Sequence, residues 1–282
     1  ARFCAALPDF RLHDESLEQM RALGLGGGLS GIAAEQAGKE CLKACSSPRP
    51  GNFLRALAQA DCLDPWFAEF ARGGNFPAGP PQFHRDSVLE HTAEVMDGTA
   101  AFMEKLPVRK DPSQTPPGQG RDADFTPGPP VRNRSLTSWA VGMAFCHDVG
   151  KTATPDDVLP RHLGHETRGR DLALALGARL RLPSLYIKAG ALCASLHMKA
   201  ASYDSLRPGT RVDLLTALRP ELLARPFAAV VALDSGAPLL AERIVRDLDS
   251  IAQVTLPPEW RNKGKSSGER LRQMRCELLA AR

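Results

Sequence analysis

Apolar residues recur at intervals of three and four along almost the whole chain, which is the spacing of one face of an α-helix. Alternation of apolar and polar residues, which would indicate strands, is close to absent. The clearest helical pattern lies in residues 86–106. Its apolar residues Val88, Val95 and Phe102 share one face, and His91 falls on that same face. The pattern predicts an all-α fold.

Other helical segments are separated by turn residues. A run of short helices is expected over residues 3–70, broken by the glycine-rich tract 24–31 and by the Pro/Gly turn 46–52. Residues 138–149 are apolar almost all round, which indicates a buried helix that ends at Gly150. The remaining helical patterns cover 167–180, 184–199, 212–218, 226–233, 239–251 and the basic segment 260–282.

Changes in composition along the chain suggest three regions. A Gly/Pro-rich stretch at 72–81 marks a boundary, so we expect a helical neck-like region over 1–75 and a central domain core over 76–205. Residues 206–282 would supply the remaining core helix and a basic helical tail. Within the core, residues 107–134 are rich in Pro, Gly and charge and poor in large apolar side chains, which predicts a disordered insertion.

The overall composition is that of an ordinary globular protein, with 282 residues, 43% hydrophobic and 24% charged. The formal charge of +4 permits a polyanionic partner without requiring one. No apolar stretch is long enough to span a bilayer, so a membrane role is not expected. Seven cysteines without a C-x-x-C motif are typical of reduced thiols, which favours a cytoplasmic location.

A histidine and an aspartate, His147 and Asp148, stand side by side at the end of the apolar helix. Adjacent helical residues point about 100° apart, so both reach one ion only near a helix end. Desolvation and the negative end of the helix dipole both disfavour a buried aspartate there, and a divalent cation would compensate, with Lys151 close by. A capping carboxylate beside a hydrogen-bonded core histidine is the simpler interpretation of the dipeptide alone.

Further histidines and an aspartate lie on or at the end of apolar helical faces. His91 and His197 each sit on such a face, and Asp234 ends one. Any one of them alone is more often a core or capping residue than a ligand. Imidazole and carboxylate together suit a borderline divalent metal, and the coincidence favours a shared metal centre. The predicted ligands are His91, His147, Asp148 and Asp234.

The segment 160–166, Pro-Arg-His-Leu-Gly-His-Glu, adds Arg161, His162 and His165 just after the His-Asp pair. Two histidines three residues apart beside an arginine suit a phosphate pocket, because arginine binds phosphate in bidentate fashion. A solvated polar loop is the equally simple alternative.

Together these residues resemble the HD superfamily of metal-dependent phosphohydrolases. More narrowly, three segments are similar in order and spacing to the C-terminal part of bacterial CCA-adding tRNA nucleotidyltransferases that carry an HD domain. These segments are 146–151, 160–165 and 179–183. The resemblance implies an HD-domain helical bundle, preceded by a small helical neck and followed by a helical tail.

The resemblance also implies an activity, namely metal-dependent hydrolysis of phosphoric esters in tRNA 3′-end CCA processing. The expected type is a 2′,3′-cyclic phosphodiesterase, 2′-nucleotidase or phosphatase that uses Ni, Mn, Mg or Zn. Asp148 would act in catalysis as well as in metal binding, and Lys151 and Arg161 would offset the phosphate charge. His165 and His197 would bind a second ion or protonate the leaving oxygen.

Two departures from the family are the missing nucleotidyltransferase head and the long Pro-rich insertion between His91 and the His-Asp pair. The insertion should be tolerated, because loop entropy grows slowly with length. No Gly-rich strand-turn with a downstream Asp-x-Asp precedes the neck, so we do not expect nucleotidyltransferase activity from this chain alone. Ser-Gly-Ala-Pro follows Asp234 in place of an arginine-containing turn, which puts a substrate contact there in doubt.

Two other functions remain open. A basic stripe near the C-terminus could follow a tRNA backbone, as in a non-catalytic tRNA-binding module, or could simply be a solvated helix. An HD nucleotide phosphohydrolase that acts on small phosphoesters unrelated to tRNA is the other alternative. The residues of the stripe assigned weakly to RNA binding are Arg261, Lys263, Lys265, Arg270 and Arg272.

Overall fold

The computed structural model describes residues 1–82, 86–105, 131–218 and 221–281. These residues form thirteen α-helices and several short 3₁₀ helices, and extended pairing among them is confined to one isolated bridge between Pro77 and Ser87. The predicted all-α fold is confirmed. A disordered insertion was expected over residues 107–134. Residues 107–130 lie outside the described part of the chain, and residues 131–134 form the first turn of a helix.

The N-terminal region is the predicted run of short helices. The break after the second helix contains Gly27 in the left-handed region, with φ of 71°, where a residue with a side chain would be strained. The five helices are α1 (Arg2–Ala6), α2 (Asp14–Leu25), α3 (Ala34–Cys45), α4 (Gly51–Gln59) and α5 (Ala68–Gly73).

Five helices form the centre of the molecule. They are α6 (Val88–Lys105), α7 (Val131–Cys146), α8 (His165–Arg179), α9 (Ser184–Ala201) and α11 (Ala224–Asp234). Helix α11 packs against α6, α7 and α9, and α8 packs against α9. Because α11 is apolar apart from Arg225 and the terminal Asp234, with Phe227, Val230 and Val231 fully buried, it occupies the middle of the bundle. Its C-terminal residue, Asp234, is thereby carried into the protein interior.

The C-terminal region adds α10 (Pro208–Ala217), α12 (Leu239–Ala252) and α13 (Lys265–Ala280). Helix α13 packs on α10 and α12. The basic helix predicted over 260–282 begins five residues later than expected, at Lys265. The reason is that Asn262 and Gly264 have positive φ values, which an α-helix excludes.

One cluster of buried apolar side chains runs through all three regions, from Ala5 in α1 through Phe145 in α7 to Leu279 in α13. Cys146 and Cys193 belong to it as small core residues, as predicted. The region boundaries at residues 75 and 205 stay a prediction. None of the helices in the described part of the chain has the length and apolar content needed to cross a membrane.

Candidate metal centre

The first group of metal-binding side chains comes from three helices that end or begin at one point. His91 lies in the first turn of α6, His147 and Asp148 follow α7 directly, and Asp234 is the last residue of α11. His91 Nε2 lies 3.1 Å from Asp234 Oδ1 and 3.4 Å from Asp148 Oδ2. His147 Nε2 lies 3.3 Å from Asp148 Oδ2 and 3.5 Å from Asp234 Oδ1. The four ligand atoms lie within 4.8 Å of one another, so this group could hold one ion.

A second group shares the same aspartate. Asp148 Oδ1 lies 3.5 Å from His165 Nε2 and 3.4 Å from His197 Nε2. The two imidazole nitrogens are themselves 3.5 Å apart, and these three ligand atoms could also hold an ion. Since Oδ2 faces the first group and Oδ1 faces the second, Asp148 is placed as a bridge between two ion positions.

The tautomers of three histidines are set by their backbone partners. In each case Nδ1 lies at hydrogen-bond distance from a carbonyl oxygen, which only accepts, so Nδ1 carries the proton. The pairs are His147 with Ala144 (2.6 Å), His165 with His162 (3.0 Å) and His197 with Cys193 (3.1 Å). In the neutral ring each Nε2 therefore presents a lone pair toward Asp148. This is the arrangement of metal-binding histidines, whose other nitrogen donates to an orienting acceptor.

Asp148 has unusual surroundings for a buried carboxylate. It is 1% exposed, and neither oxygen has a hydrogen-bond donor in good alignment among the described residues. Lys151 Nζ lies 2.7 Å from Oδ2, which is an ion pair rather than a well-aligned hydrogen bond. Asp148 also precedes the 3₁₀ helix Val149–Ala153, but its side chain makes no capping bond. The geometry therefore does not support the capping interpretation, and a metal ion fits the unsatisfied oxygens.

The aspartate at the negative end of a helix dipole is Asp234, whereas Asp148 was expected there. Helix α7 ends at Cys146, and Asp148 lies two residues beyond it at the start of a 3₁₀ helix. Asp234 is the residue that ends a helix, so the negative end of the α11 dipole is added to its own charge. A cation beside Asp234 would offset both its own charge and the negative end of the α11 dipole.

The electrostatics of the site also favour added positive charge. Burial opposes an imidazolium at His147, yet the carboxylates of Asp148 and Asp234 raise its pKa to about 10. Burial alone would raise the pKa of Asp148, but His147 and Lys151 hold it well below its usual range. The pKa of Asp234 is likewise lowered, mainly by His147, against the effect of burial. Without a metal, a proton on His147 thus supplies part of the positive charge that a divalent ion would bring to the two carboxylates.

Lys151 and Arg161 were both expected to contact a phosphate, but one is buried at the site and the other is exposed to solvent. Lys151 is buried, and its ammonium donates to the Ala78 carbonyl at 2.8 Å in addition to pairing with Asp148. Arg161 is exposed and makes no side-chain hydrogen bond or ion pair with other residues that the structure describes. The structure therefore brings Lys151, His165 and His197 to the predicted ligands, but it does not bring Arg161 there.

His162 was predicted only as part of a phosphate pocket with Arg161 and His165, and the structure buries its side chain beside the site. His162 is 2% exposed and bonds to Thr154 and to the backbone of Pro77. The available signal was its spacing of three residues from His165 in the same short motif. That spacing does not say which of Arg161 and His162 faces inward.

Gly150 explains how the turn after α7 approaches α8 so closely. A Cβ atom at Gly150 would lie 1.9 Å from the His165 carbonyl oxygen and 2.5 Å from the Gly169 nitrogen. No residue with a side chain fits there without a backbone shift. Glycine therefore lets the two elements touch, which brings His165 within reach of Asp148.

The basic residues assigned to RNA binding lie apart from this cluster, in and just before α13. Arg272 makes two hydrogen bonds to the Asp213 carboxylate, at 2.7 and 2.8 Å, and Lys265 pairs with Glu269 at 3.6 Å. Lys263 and Arg270 lie over the Trp260 ring, at 5.4 and 5.9 Å from its centroid. Arg261 donates to the Leu256 carbonyl.

The fold and the cluster define an all-α protein with a buried His/Asp site that could hold metal ions. No family model matches the sequence. Curated proteins named multifunctional CCA protein do match it. The one from Thioalkalivibrio sulfidiphilus is 30% identical over 78% of the chain and 48% of the relative, and the one from Azoarcus sp. is 29% identical over 84% and 49%. The one from Ectopseudomonas mendocina is 27% identical over 100% of the chain and 64% of the relative.

These matches confirm the resemblance to multifunctional CCA proteins along the whole chain. The chain spans about half the length of the curated relatives it matches first. The activities of the whole relatives therefore do not transfer to it directly.

Proposed function

We propose that the chain is a metal-dependent phosphohydrolase of the HD type that acts on phosphoric esters of the tRNA 3′ end. The observation that carries this proposal is the position of Asp148 in both groups of possible metal ligands. Asp148 is a buried carboxylate without a well-aligned donor among the described residues, and it faces imidazole nitrogens on both sides. A buried carboxylate that faces imidazole nitrogens on both sides is suited to holding cations, and a buried ion pair is weak evidence for a stabilising role.

The residues present fit one or two divalent ions. The first ion would be held by His91, His147, Asp148 and Asp234, and a second by Asp148, His165 and His197. Mixed imidazole and carboxylate ligands suit Mn, Ni or Zn, and Mg is the less favoured candidate. When bound, such an ion activates water and polarises a phosphoryl oxygen.

The protein's own residues prepare the site for that ion. Backbone carbonyls hold three imidazoles with Nε2 toward Asp148, so little reorganisation is needed on binding. Burial lowers the pKa of His165, which keeps it neutral at pH 7. Of its two expected roles, a neutral, oriented His165 is better suited to binding an ion than to donating a proton.

Lys151 and Arg161 have separate roles in the proposal. Lys151 balances the charge of Asp148 from a buried position, and it would not need to leave that position during hydrolysis. Arg161, exposed beside the site motif, would meet the phosphate only when a substrate is bound.

The link to tRNA rests on the relatives, whose printed name is multifunctional CCA protein. The mild positive charge of the chain is compatible with an RNA substrate. Esters with a phosphate on the 2′ oxygen, cyclic or open, are the substrates proposed. A cytoplasmic location stays a prediction.

The test is hydrolysis of 2′,3′-cyclic AMP, bis-p-nitrophenyl phosphate and a tRNA that ends in a 2′,3′-cyclic phosphate by the chelated protein, re-metallated in turn with Ni, Mn, Mg and Zn. We expect turnover that a metal restores and that Asp148→Ala lacks. Asp156→Ala, at an exposed aspartate outside the ligand groups, is the matched control. No turnover with any metal in a folded protein would reject the proposal, and turnover on simple nucleotides but not on tRNA esters would favour the nucleotide phosphohydrolase.

A non-catalytic tRNA-binding module is the second candidate. It is favoured by the exposed Lys263 and Arg261 beside the partly exposed Trp260, since basic residues with an aromatic ring can contact an RNA strand. The salt dependence of tRNA binding tests it, because phosphate contacts make affinity fall steeply with salt.

A further inference from the structure

A short backbone segment, Phe76–Ala78, connects three elements of the metal centre. We call it the strap. On one side the Ala78 N–H donates to the Asp86 carbonyl at 2.9 Å, and the Val88 N–H donates to the Phe76 carbonyl at 2.8 Å. These bonds attach the strap to the start of α6, one turn before His91.

The other side of the strap presents two carbonyls to the site. The Ala78 carbonyl accepts from Lys151, the partner of Asp148, at 2.8 Å. The Pro77 carbonyl accepts from His162 Nε2 at 2.7 Å. The strap therefore ties the helix that carries His91 to the turn that carries Asp148 and to the motif that carries His165.

The side chain of His162 is held at both nitrogens. Because the Pro77 carbonyl only accepts, Nε2 carries the proton, and Nδ1 accepts from the Thr154 hydroxyl at 2.8 Å. Arg168 in α8 donates to the same Thr154 oxygen at 3.2 Å. Thr154 directly follows the 3₁₀ helix that begins after Asp148, so the ring of His162 spans from the strap to the turn after the bridging carboxylate.

The backbone of His162 completes the link. Its φ of 47° lies in the left-handed region, which is uncommon for a residue with a side chain and so marks a constrained position. Its carbonyl oxygen lies 3.0 Å from His165 Nδ1 and sets the tautomer of that ring. The side chain of His162 thus fixes the turn, and its carbonyl orients a ligand of the second group.

We propose that His162 is a positioning residue for the second ion: its ring joins the Pro77 carbonyl to Thr154, and its carbonyl directs His165 Nε2 toward Asp148. The inference rests on the proposed function, because the second group has to hold an ion. Without the ring, the carbonyl of residue 162 would no longer be fixed in place against His165 Nδ1. Disturbing an orienting partner of a metal ligand typically weakens metal binding by about 10- to 100-fold. The effect should be confined to the ion that His165 binds.

The test is titration of the chelated full chain with Mn²⁺, with bound and free ion counted by electron paramagnetic resonance. We expect two ions in the parent. His162→Asn keeps a residue that tolerates positive φ and can still reach Thr154, but it is too short to reach Pro77. It should weaken one of the two ions by about 10- to 100-fold and leave the other within about twofold.

His162→Gln is the rescue variant, because the amide of glutamine reaches as far as His162 Nε2 and can donate to Pro77 again. It should recover part of the affinity for the weakened ion. His13→Gln is the matched control, at the exposed histidine that precedes α2, because glutamine, unlike asparagine, is not a preferred N-cap residue. It should leave both affinities and the melting temperature unchanged.

Each other outcome has a definite meaning. A parent that binds no ion rejects the proposed function itself. A parent that binds one ion overturns this inference and leaves a one-ion enzyme standing. Unchanged affinities in His162→Asn, or an equal loss at both ions together with a lower melting temperature, would also overturn it, since a structural role would not separate the two ions.

Discussion

The metal centre and the basic surface of α13 both carry charged residues that suggested a function, but their surroundings differ. Asp148 is buried, and its oxygens lack a well-aligned donor among the described residues. Arg272 on α13 is exposed, and its guanidinium already makes two hydrogen bonds to Asp213. One region leaves a costly charge incompletely satisfied, and the other satisfies its charges within the chain or in water.

The contrast shows which kind of charge is informative. A buried carboxylate costs several kcal/mol unless it is paired and hydrogen-bonded. Asp148 has an ion pair with Lys151 but no well-aligned donor among the described residues, which favours a bound cation. An exposed ion pair costs little and contributes little. The metal centre therefore supports a specific function, whereas the α13 surface supports one only if binding is measured.

The largest effect should come from the bridging residue. Asp148→Asn removes the charge that both groups share, so we expect it to weaken both ions by at least about 100-fold, more than loss of an orienting partner would. Asp234→Asn should weaken the first ion alone, because Asp234 belongs only to that group. Metal content after dialysis and Mn²⁺ titration measure both effects. Equal losses in the two variants would contradict the bridging arrangement.

A pair of glycine substitutions compares the stability of the two regions. Gly150→Ala places a Cβ atom against the backbone of His165, so we expect it to destabilise the fold by about 1–3 kcal/mol, as overpacking does. Gly268→Ala in α13 meets no atom within 4 Å and should stabilise the helix by about 0.5–1 kcal/mol. Urea unfolding of the two variants and the parent measures both values.

The decisive result for each glycine variant is whether its free energy of unfolding is lower or higher than that of the parent. If Gly150→Ala were as stable as the parent, the turn would not touch α8 as described. If Gly268→Ala destabilised the protein, α13 would have a neighbour at that position that the described residues do not show.

The sequence predicted those parts of the site that depend on local pattern. The pair His147–Asp148 and the residue Asp234 stand at the ends of strongly apolar segments, so their burial followed from helix periodicity. The all-α fold followed in the same way. Helix ends were less predictable, because α13 begins only after the positive φ values at Asn262 and Gly264.

The contacts that orient the ligands could not be predicted, because they join distant residues through the backbone. His162 meets Pro77, 85 residues away, and Lys151 meets Ala78, 73 residues away. Carbonyl acceptors leave no trace in side-chain composition. The sequence therefore favoured Arg161 for the site, because nothing in it shows that the Pro77 carbonyl is available to His162. In the structure Arg161 is exposed and His162 points inward.

The pH dependence of metal binding tests the electrostatics of the buried region. The pKa of His147 is raised to about 10, so the metal-free site holds a proton at pH 7 that an ion must displace. Affinity for Mn²⁺ should rise by up to about tenfold per pH unit from about pH 7 toward 10. In the metal-free protein this proton stabilises the fold fully below about pH 6.5, and the contribution is lost as the pH rises through 10.

The measurement is Mn²⁺ affinity at pH 7, 8 and 9, with proton release followed by calorimetry in buffers of different ionisation enthalpy. Asp234→Asn removes one of the carboxylates that raise the pKa of His147, so its dependence on pH should be shallower. An affinity that does not change with pH in the parent would mean that His147 is already neutral.

The smallest effects are expected on the α13 surface, and they concern the slope of tRNA affinity against salt concentration. Lys263 is exposed and has no carboxylate partner among the described residues, so Lys263→Gln should reduce the slope by about 1 if it meets a phosphate. Arg272→Gln should change the slope much less, because Asp213 already neutralises Arg272. Asp213→Asn frees Arg272 and should make the slope steeper. A slope that none of the three substitutions alters would remove this surface from any RNA-binding role, and the buried metal centre would then remain as the functional region.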